Sequence, residues 1–475
     1  MKRLRLLNMM IAVLIFWSCT DDWSFSTDSR YRLDFSADTV KFDTVFAGVA
    51  SFTDGFMIYN ENSEGLRFDA VMGGGAASPF LMNLDGEGGA VITGLEIPAG
   101  DSLFCFVSVN IPCTDDVALT DAFDSIRFIL ESGNVQHVRL SAHGQNSVSL
   151  KGLRVESDMT LTARLPYIIY DSLFVADGTV LTLAPGASLY FHSDAYLDVA
   201  GRIVARGKAD SVILMRGDRL DLMLPKLPYD YLNGQWGGIR LRGSSMGNLL
   251  EYCDIHGGNW GVRADSSSLD ETKLTVISSI IHNVTGNGIE ATNSRISVAN
   301  SQITAAVGRC VDIAGGMSDF TFCTIAGLSV WSYSDKTVVL SDRRDGRSYP
   351  LQDASFRNCI ITGRNATEFV TDFDETSAPS APFSVSNSLI MCKDSTDARF
   401  SSDVRFENLK SKPNGAYNFV DHSVQGYRSV YALDSTSRAR GIADDLSAVW
   451  TVDLAGIARP LSGADAGCYQ YVPLE

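Results

Sequence analysis

Leu250-Glu251-Tyr252-Cys253-Asp254-Ile255 is the first of six segments that share one pattern, the others ending at Ile281, Ile303, Ile325, Ile361 and Ile390. Aligned on that isoleucine, each carries an apolar residue five places earlier: Leu250, Val276, Val298, Phe320, Phe356 and Val385. Two places earlier stands a small residue: Cys253, Ser279, Ser301, Cys323, Cys359 and Ser388. Asn recurs three places earlier, at Asn300, Asn358 and Asn387. Two successive spacings are 22 residues, and the longer ones are expected where insertions fall in loops.

Side chains alternate across a strand, so apolar columns five apart face opposite sides of a straight strand. A bend between them turns both inward. The Asn-Ser and Asn-Cys pairs sit where that bend belongs, because Asn bonds nearby backbone and tolerates positive φ. A third apolar site follows a glycine in two coils, at Gly261-Val262 and Gly288-Ile289, with Val311 in a similar place in the next. Three short strands per coil of 22 residues predict an all-β solenoid, the parallel β-helix, whose stacked coils share one core. A leucine-rich repeat would need a recurrent Leu-x-x-Leu-x-Leu frame, which is absent.

These residues resemble the right-handed parallel β-helix family, with its pectate-lyase-like fold. The resemblance runs from about Leu161 to Cys392. It extends to the opening units Val180-Leu181-Thr182-Leu183-Ala184-Pro185-Gly186 and Ile203-Val204-Ala205-Arg206-Gly207, and to Gln235-Trp236-Gly237-Gly238-Ile239, where Trp236 is read as structural. Asp453-Leu454-Ala455-Gly456-Ile457-Ala458-Arg459-Pro460 and Asp465-Ala466-Gly467-Cys468-Tyr469-Gln470 resemble the family's closing motif. Cys468 and Gln470 depart from its usual Ala and Glu, and the motif is read as fastening the terminal segment. The resemblance implies a right-handed parallel β-helix solenoid over residues 151–395 and a C-terminal cap over 396–475. It implies no one activity, since that fold hosts lyases, hydrolases, adhesins and inert stalks.

The chain begins Met1-Lys2-Arg3-Leu4-Arg5 and runs apolar from Met9 to Trp17. A basic start and a short apolar run make a secretory signal, too short to span a bilayer comfortably. Ser18-Cys19 resembles a bacterial lipobox, which would make residues 1–19 a lipoprotein signal peptide with Cys19 the acylated residue. Phe16 and Trp17 depart from the usual pair, leaving an ordinary signal peptide or an uncleaved anchor as alternatives. Thr20-Asp21-Asp22 resembles the export tag of surface lipoproteins in some Gram-negative bacteria. The expected location is the outer membrane, through lipidated Cys19, with the leaflet open. Residues 20–30 read as a polar tether.

Residues 31–147 carry short alternating strands, such as Phe56-Met57-Ile58-Tyr59 and Ser125-Ile126-Arg127-Phe128-Ile129, punctuated by Asn60-Glu61-Asn62 and Pro98-Ala99-Gly100-Asp101. This suits an Ig-like β-sandwich preceding the solenoid, and Leu140-Ser141-Ala142-His143-Gly144 resembles the closing strand of such modules. An irregular β cap on the solenoid is the competing reading.

A net charge of −17 disfavours nucleic acid as a partner. Six histidines are few for a metal enzyme, and Cys105, Cys113, Cys310, Cys392 and Cys468 show no zinc spacing. No metal and no cofactor is therefore expected. Cys253, Cys323 and Cys359 read as packed thiols in the small-residue column, with disulfides left open.

Two segments break the repeat, Gly217 to Gly234 and Ser329 to Gln352, and loops of this kind form the expected binding face. A β-helix hydrolase needs two carboxylates at suitable separation, and a lyase needs a base; neither motif is recognisable. His256-Gly257-Gly258 with Arg263 and Asp265, one turn on, is the candidate catalytic set. Trp260 beside them is the candidate sugar-stacking residue, with core packing as its alternative. The leading expectation is a cell-envelope lipoprotein whose β-helix presents loops to a glycan or an envelope protein, without catalysis. A polysaccharide lyase or glycoside hydrolase, and a purely structural stalk, are the alternatives.

Overall fold

The computed structural model describes residues 24–114, 116–224, 226–331, 336–374, 381–393, 396–407, 415–423 and 428–473. Cys19 and the rest of the expected signal segment lie outside the described residues. The chain divides at Asn146/Ser147 into two units.

The first unit is a β-sandwich of two five-stranded sheets around one core. One sheet holds Asp54–Tyr59, Ser102–Val109 and Phe80–Leu84, with short edges; the other holds Thr39–Phe46, Val135–Gln145, Thr120–Leu130, Leu66–Met72 and Val91–Ile97. Alternation does the sorting: Leu66–Met72 buries every second residue. The first and last long strands pair in parallel, Arg139 opposite Thr39. Ser24 to Arg30, expected as a polar tether, is corrected in part. Phe25 bridges Gly65, and the Arg67 guanidinium lies 4.4 Å above its ring. A Cβ at Gly65 would come within 2.8 Å of that ring, so the glycine makes the seat.

The second unit is a parallel β-helix. An 11-stranded parallel sheet forms one wall, and a 16-stranded sheet supplies the others. The six isoleucines stand in one register, Ile255, Ile281, Ile303, Ile325, Ile361 and Ile390, each fully buried. The column five places earlier is likewise continuous from Leu250 to Val385 through Val276, Val298, Phe320 and Phe356. The third column is Val262, Ile289 and Val311. Each side chain so buried contributes about 1.5–3 kcal/mol.

The bend between the columns is left-handed in all six coils. Tyr252, Ser278, Asn300, Phe322, Asn358 and Asn387 have φ between 46° and 57°. Three are not Asn, so stacking imposes the bend even where the side chain opposes it. The small column beside it is a hydrogen-bond ladder: Cys253 N donates to Ser279 Oγ at 3.0 Å, Ser279 N to Ser301 Oγ at 3.1 Å, and Cys359 N to Ser388 Oγ at 2.9 Å. Cys253, Cys323 and Cys359 are buried free thiols, as are Cys310 and Cys468. Trp236 is fully buried, stacked 4.2 Å from Phe191.

The C-terminal region does not act only as an end cap. Arg405–Glu407 adds the eleventh strand, and Phe400 meets Phe383 and Phe406 edge-on at that end of the core. The described tail beyond them clads the outer face of the 11-stranded sheet instead. Phe419, Tyr431, Leu433, Ile442 and Ala466 form a second core against Ala326, Leu328, Ile360 and Leu389. The reason is in the outward positions of the last coils, which are apolar and need cover.

Candidate functional site

Two outward columns run down the 11-stranded sheet. One is Asp254, Ile280, Gln302, Thr324, Ile360 and Leu389; the other is His256, His282, Thr304, Ala326 and Thr362. The coils change from charged to apolar along this face. The tail covers the apolar part and stops where polarity begins: Cys468 N donates to Thr324 Oγ1 at 3.1 Å and Tyr469 OH to Gln302 Oε1 at 2.9 Å. On the other side stands the first insertion, a hairpin of Leu222–Leu224 and Leu227–Pro228 followed by a turn at Tyr229–Tyr231. The second insertion braces it, Trp331 Nε1 donating to Tyr231 O at 2.8 Å. Between insertion and tail lies a cavity of about 650 Å³, whose walls include Tyr231, Asp254, His282, Gln302, Tyr431 and Tyr469.

Asp254 and His282 in its wall belong to a charged network that runs behind it. His256 Nδ1 lies 2.8 Å from Asp254 Oδ1, and its Nε2 lies 2.8 Å from Asp230 Oδ1. His282 Nε2 reaches the same Asp254 oxygen at 3.2 Å. Arg216 Nη1 holds Asp230 Oδ1 at 2.5 Å. The two imidazoles are 4.7 Å apart, tilted by 32°. The main chain of His256 is fixed as well, since the Trp236 indole Nε1 donates to its carbonyl at 2.8 Å. Burial pulls the His256 imidazolium down, but Asp254 and Asp230 outweigh it and hold the group up at about 9. Burial opposes the charge on Asp254 and Asp230 too, yet the neighbouring histidines, with Arg216 beside Asp230, keep both carboxyls below their usual range.

The set expected from sequence does not assemble. His256 is on Cys253–His256 in the 11-stranded sheet, whereas Arg263 is on Val262–Ala264 in the other. Arg263 Nε pairs with Glu290 at 3.1 Å, and Asp265 with Arg240 at 2.9 Å. They belong to an ion-pair ladder on a different wall, because successive coils stack side chains of equal register and not residues one turn on. Trp260 is half-buried there, its Nε1 bonded to Ile239 O at 3.2 Å and its ring under Arg263 at 4.5 Å. On the same wall Glu290 and Asp312 are register partners on adjacent coils. Arg344 clamps both, at 3.2 and 2.8 Å, so this carboxylate pair is occupied.

Asp254 and His282 escaped the sequence reading although the repeat contains them. His256 and His282 each follow the aligned isoleucine by one place, and Asp254 precedes it by one. Aligning the outward positions as well as the inward ones stacks the two histidines. Asp230 and Tyr231 carry no such signal, because an insertion delivers them.

No family model and no curated protein sequence matches the chain. Among solved structures, the catalytic unit of a thermostable GH87 α-1,3-glucanase from Streptomyces thermodiastaticus strain HF3-3 aligns at 11% identity over 74% of this chain and 77% of that one, with a TM-score of 0.32. Dex49A from Penicillium minioluteum aligns at 10% identity over 78% and 77%, TM-score 0.19. A family 123 glycoside hydrolase from Clostridium perfringens aligns at 9% identity over 25% of this chain and 30% of its own, TM-score 0.19, so the chain spans less than a third of that enzyme's length. Likenesses at these scores carry no argument about substrate or reaction.

Proposed function

We propose that this chain is a cell-envelope lipoprotein, held at the outer membrane through acylated Cys19, whose β-helix binds a glycan in the cavity between the first insertion and the tail. The observation that carries this reading is the lining: Tyr231, Tyr431 and Tyr469 stand beside Asn283, Gln302 and Thr304 around about 650 Å³. Sugars offer an apolar ring face and a rim of hydroxyls, and tyrosine rings with amide and hydroxyl side chains answer both. The sandwich, read as an Ig-like module, serves as a spacer between anchor and solenoid. Binding is favoured over cleavage because the carboxylates near the cavity and on the ladder wall are each engaged by His or Arg, whereas hydrolysis needs a pair facing the substrate.

The test is a panel of acidic and neutral polysaccharides presented to the purified chain, with binding, unsaturated product and reducing ends followed in parallel. One polysaccharide class is expected to bind without product, and Tyr231→Ala to weaken that binding about tenfold. Product in either channel, or silence in binding across the panel, would overturn the reading.

A further inference from the structure

We infer that Asp254, His256 and His282 form a binding site for a divalent transition-metal ion of the zinc class. The three donor atoms lie within 4.8 Å of one another and come from adjacent strands of one sheet. Asp254 Oδ1 stands 2.8 Å from His256 Nδ1 and 3.2 Å from His282 Nε2. Ligands at about 2.0–2.2 Å around a tetrahedral ion stand about 3.3–3.6 Å apart, so an ion entering here opens the Asp254–His256 contact by about half an ångström. Two imidazoles and a carboxylate are the donor set that zinc-class ions take, and too nitrogen-rich for calcium or magnesium.

The second observation is the group behind His256. A ligating imidazole usually passes its other N–H to a carboxylate, which fixes the ring and raises its basicity. His256 Nε2 meets Asp230 at 2.8 Å, and Arg216 anchors that carboxylate in turn. Nδ1 is thereby the nitrogen left for an ion, and it faces Asp254. An ion bound there takes the place of the Nδ1 proton, which leaves to solvent. Asp254 and His282 also line the cavity, which gives the ion a path in and leaves a coordination position for water on that side. Asp230 comes from the insertion while the three ligands come from the repeat, so the insertion positions a site that the coils build.

The test uses metal alone, so its outcome is separate from glycan binding. The purified chain is stripped with a chelator and titrated with Zn²⁺ by calorimetry, with bound metal counted by elemental analysis. Co²⁺ reports the coordination through its visible absorption. One tightly bound equivalent is expected, with the cobalt band of a four-coordinate site. His282→Gln and Asp254→Asn should each weaken binding at least a hundredfold, and Asp230→Asn ten- to a hundredfold. His256 is buried and its replacement risks the fold, so the half-exposed His282 is the deciding variant, checked by an unchanged thermal melt. No bound zinc, or zinc held equally well by His282→Gln and Asp254→Asn, would overturn the site.

Discussion

Arg459 donates through Nη2 to the side-chain oxygen of Asn300 at 2.8 Å, joining residues 159 apart in sequence. The guanidinium also lies 3.9 Å above the ring of Phe322. Both partners are left-handed bend residues of successive coils. The tail thus grips the solenoid at its corner, and Asp444 and Ile442 repeat the grip at Asn358 and Asn387. Arg459→Ala removes a hydrogen bond to a buried acceptor and a cation–π contact. The expected loss is about 2–4 kcal/mol, read by chemical denaturation, with faster proteolysis of the tail than of the coils. An unchanged midpoint and cleavage pattern would show that the tail is held elsewhere.

The small column makes a finer prediction. Ser279 Oγ accepts from Cys253 N and donates to Ile277 O at 2.8 Å, so it serves the bend on both sides. Ser279→Ala leaves a buried N–H without its acceptor and should cost about 1–3 kcal/mol. Ser279→Cys should cost less, because Cys323 and Cys359 hold equivalent places and their thiols reach the carbonyl two residues back at 3.5 and 3.4 Å. Equal losses in the two variants, measured by urea unfolding, would deny the ladder any role beyond filling space.

The inward half of this molecule was legible because stacking forces like onto like. The isoleucine column, the apolar column and the bend at Asn300, Asn358 and Asn387 all follow from one alignment. Where the bend falls on Tyr252 or Phe322, the residue itself gives no hint, and only its place in the repeat does. The site was less legible for a related reason. Nearness in sequence joins His256 to Arg263 and Asp265, while a solenoid joins residues a whole coil apart, as His256 with His282. Asp230 and the route of the tail depend on contacts between distant segments, which no periodicity encodes.

The separation of the two walls is testable. Arg263→Ala and Asp265→Asn disturb half-buried ion pairs with Glu290 and Arg240. Each should change stability by no more than about 1 kcal/mol and leave binding in the cavity unaltered, by titration with whichever polysaccharide binds. A tenfold loss in either variant would mean that the ligand reaches across to that wall.

Lys273 offers a prediction in pH. It is fully buried, and its Nζ donates to Arg242 O at 2.6 Å and Ser245 O at 2.9 Å. Burial pulls the ammonium down to about 8, with Asp265 opposing. Carbonyls accept from a neutral amine as well as from a charged one, so the pin survives deprotonation. Between pH 8 and the ordinary lysine value of about 10.4, the unfolded chain binds more protons than the folded one, and stability rises with pH across that window. Tyr431 and Tyr469, whose hydroxyls burial pushes up, work in the opposite direction at the alkaline end. They remain in a Lys273→Met variant and cancel in the difference. Wild type minus variant should therefore climb by up to about 3 kcal/mol from pH 8 to pH 10.4, followed by denaturation at each pH. A flat difference would mean that the ammonium keeps its ordinary affinity for the proton, and that the carbonyls of Arg242 and Ser245 solvate the charge as well as water does.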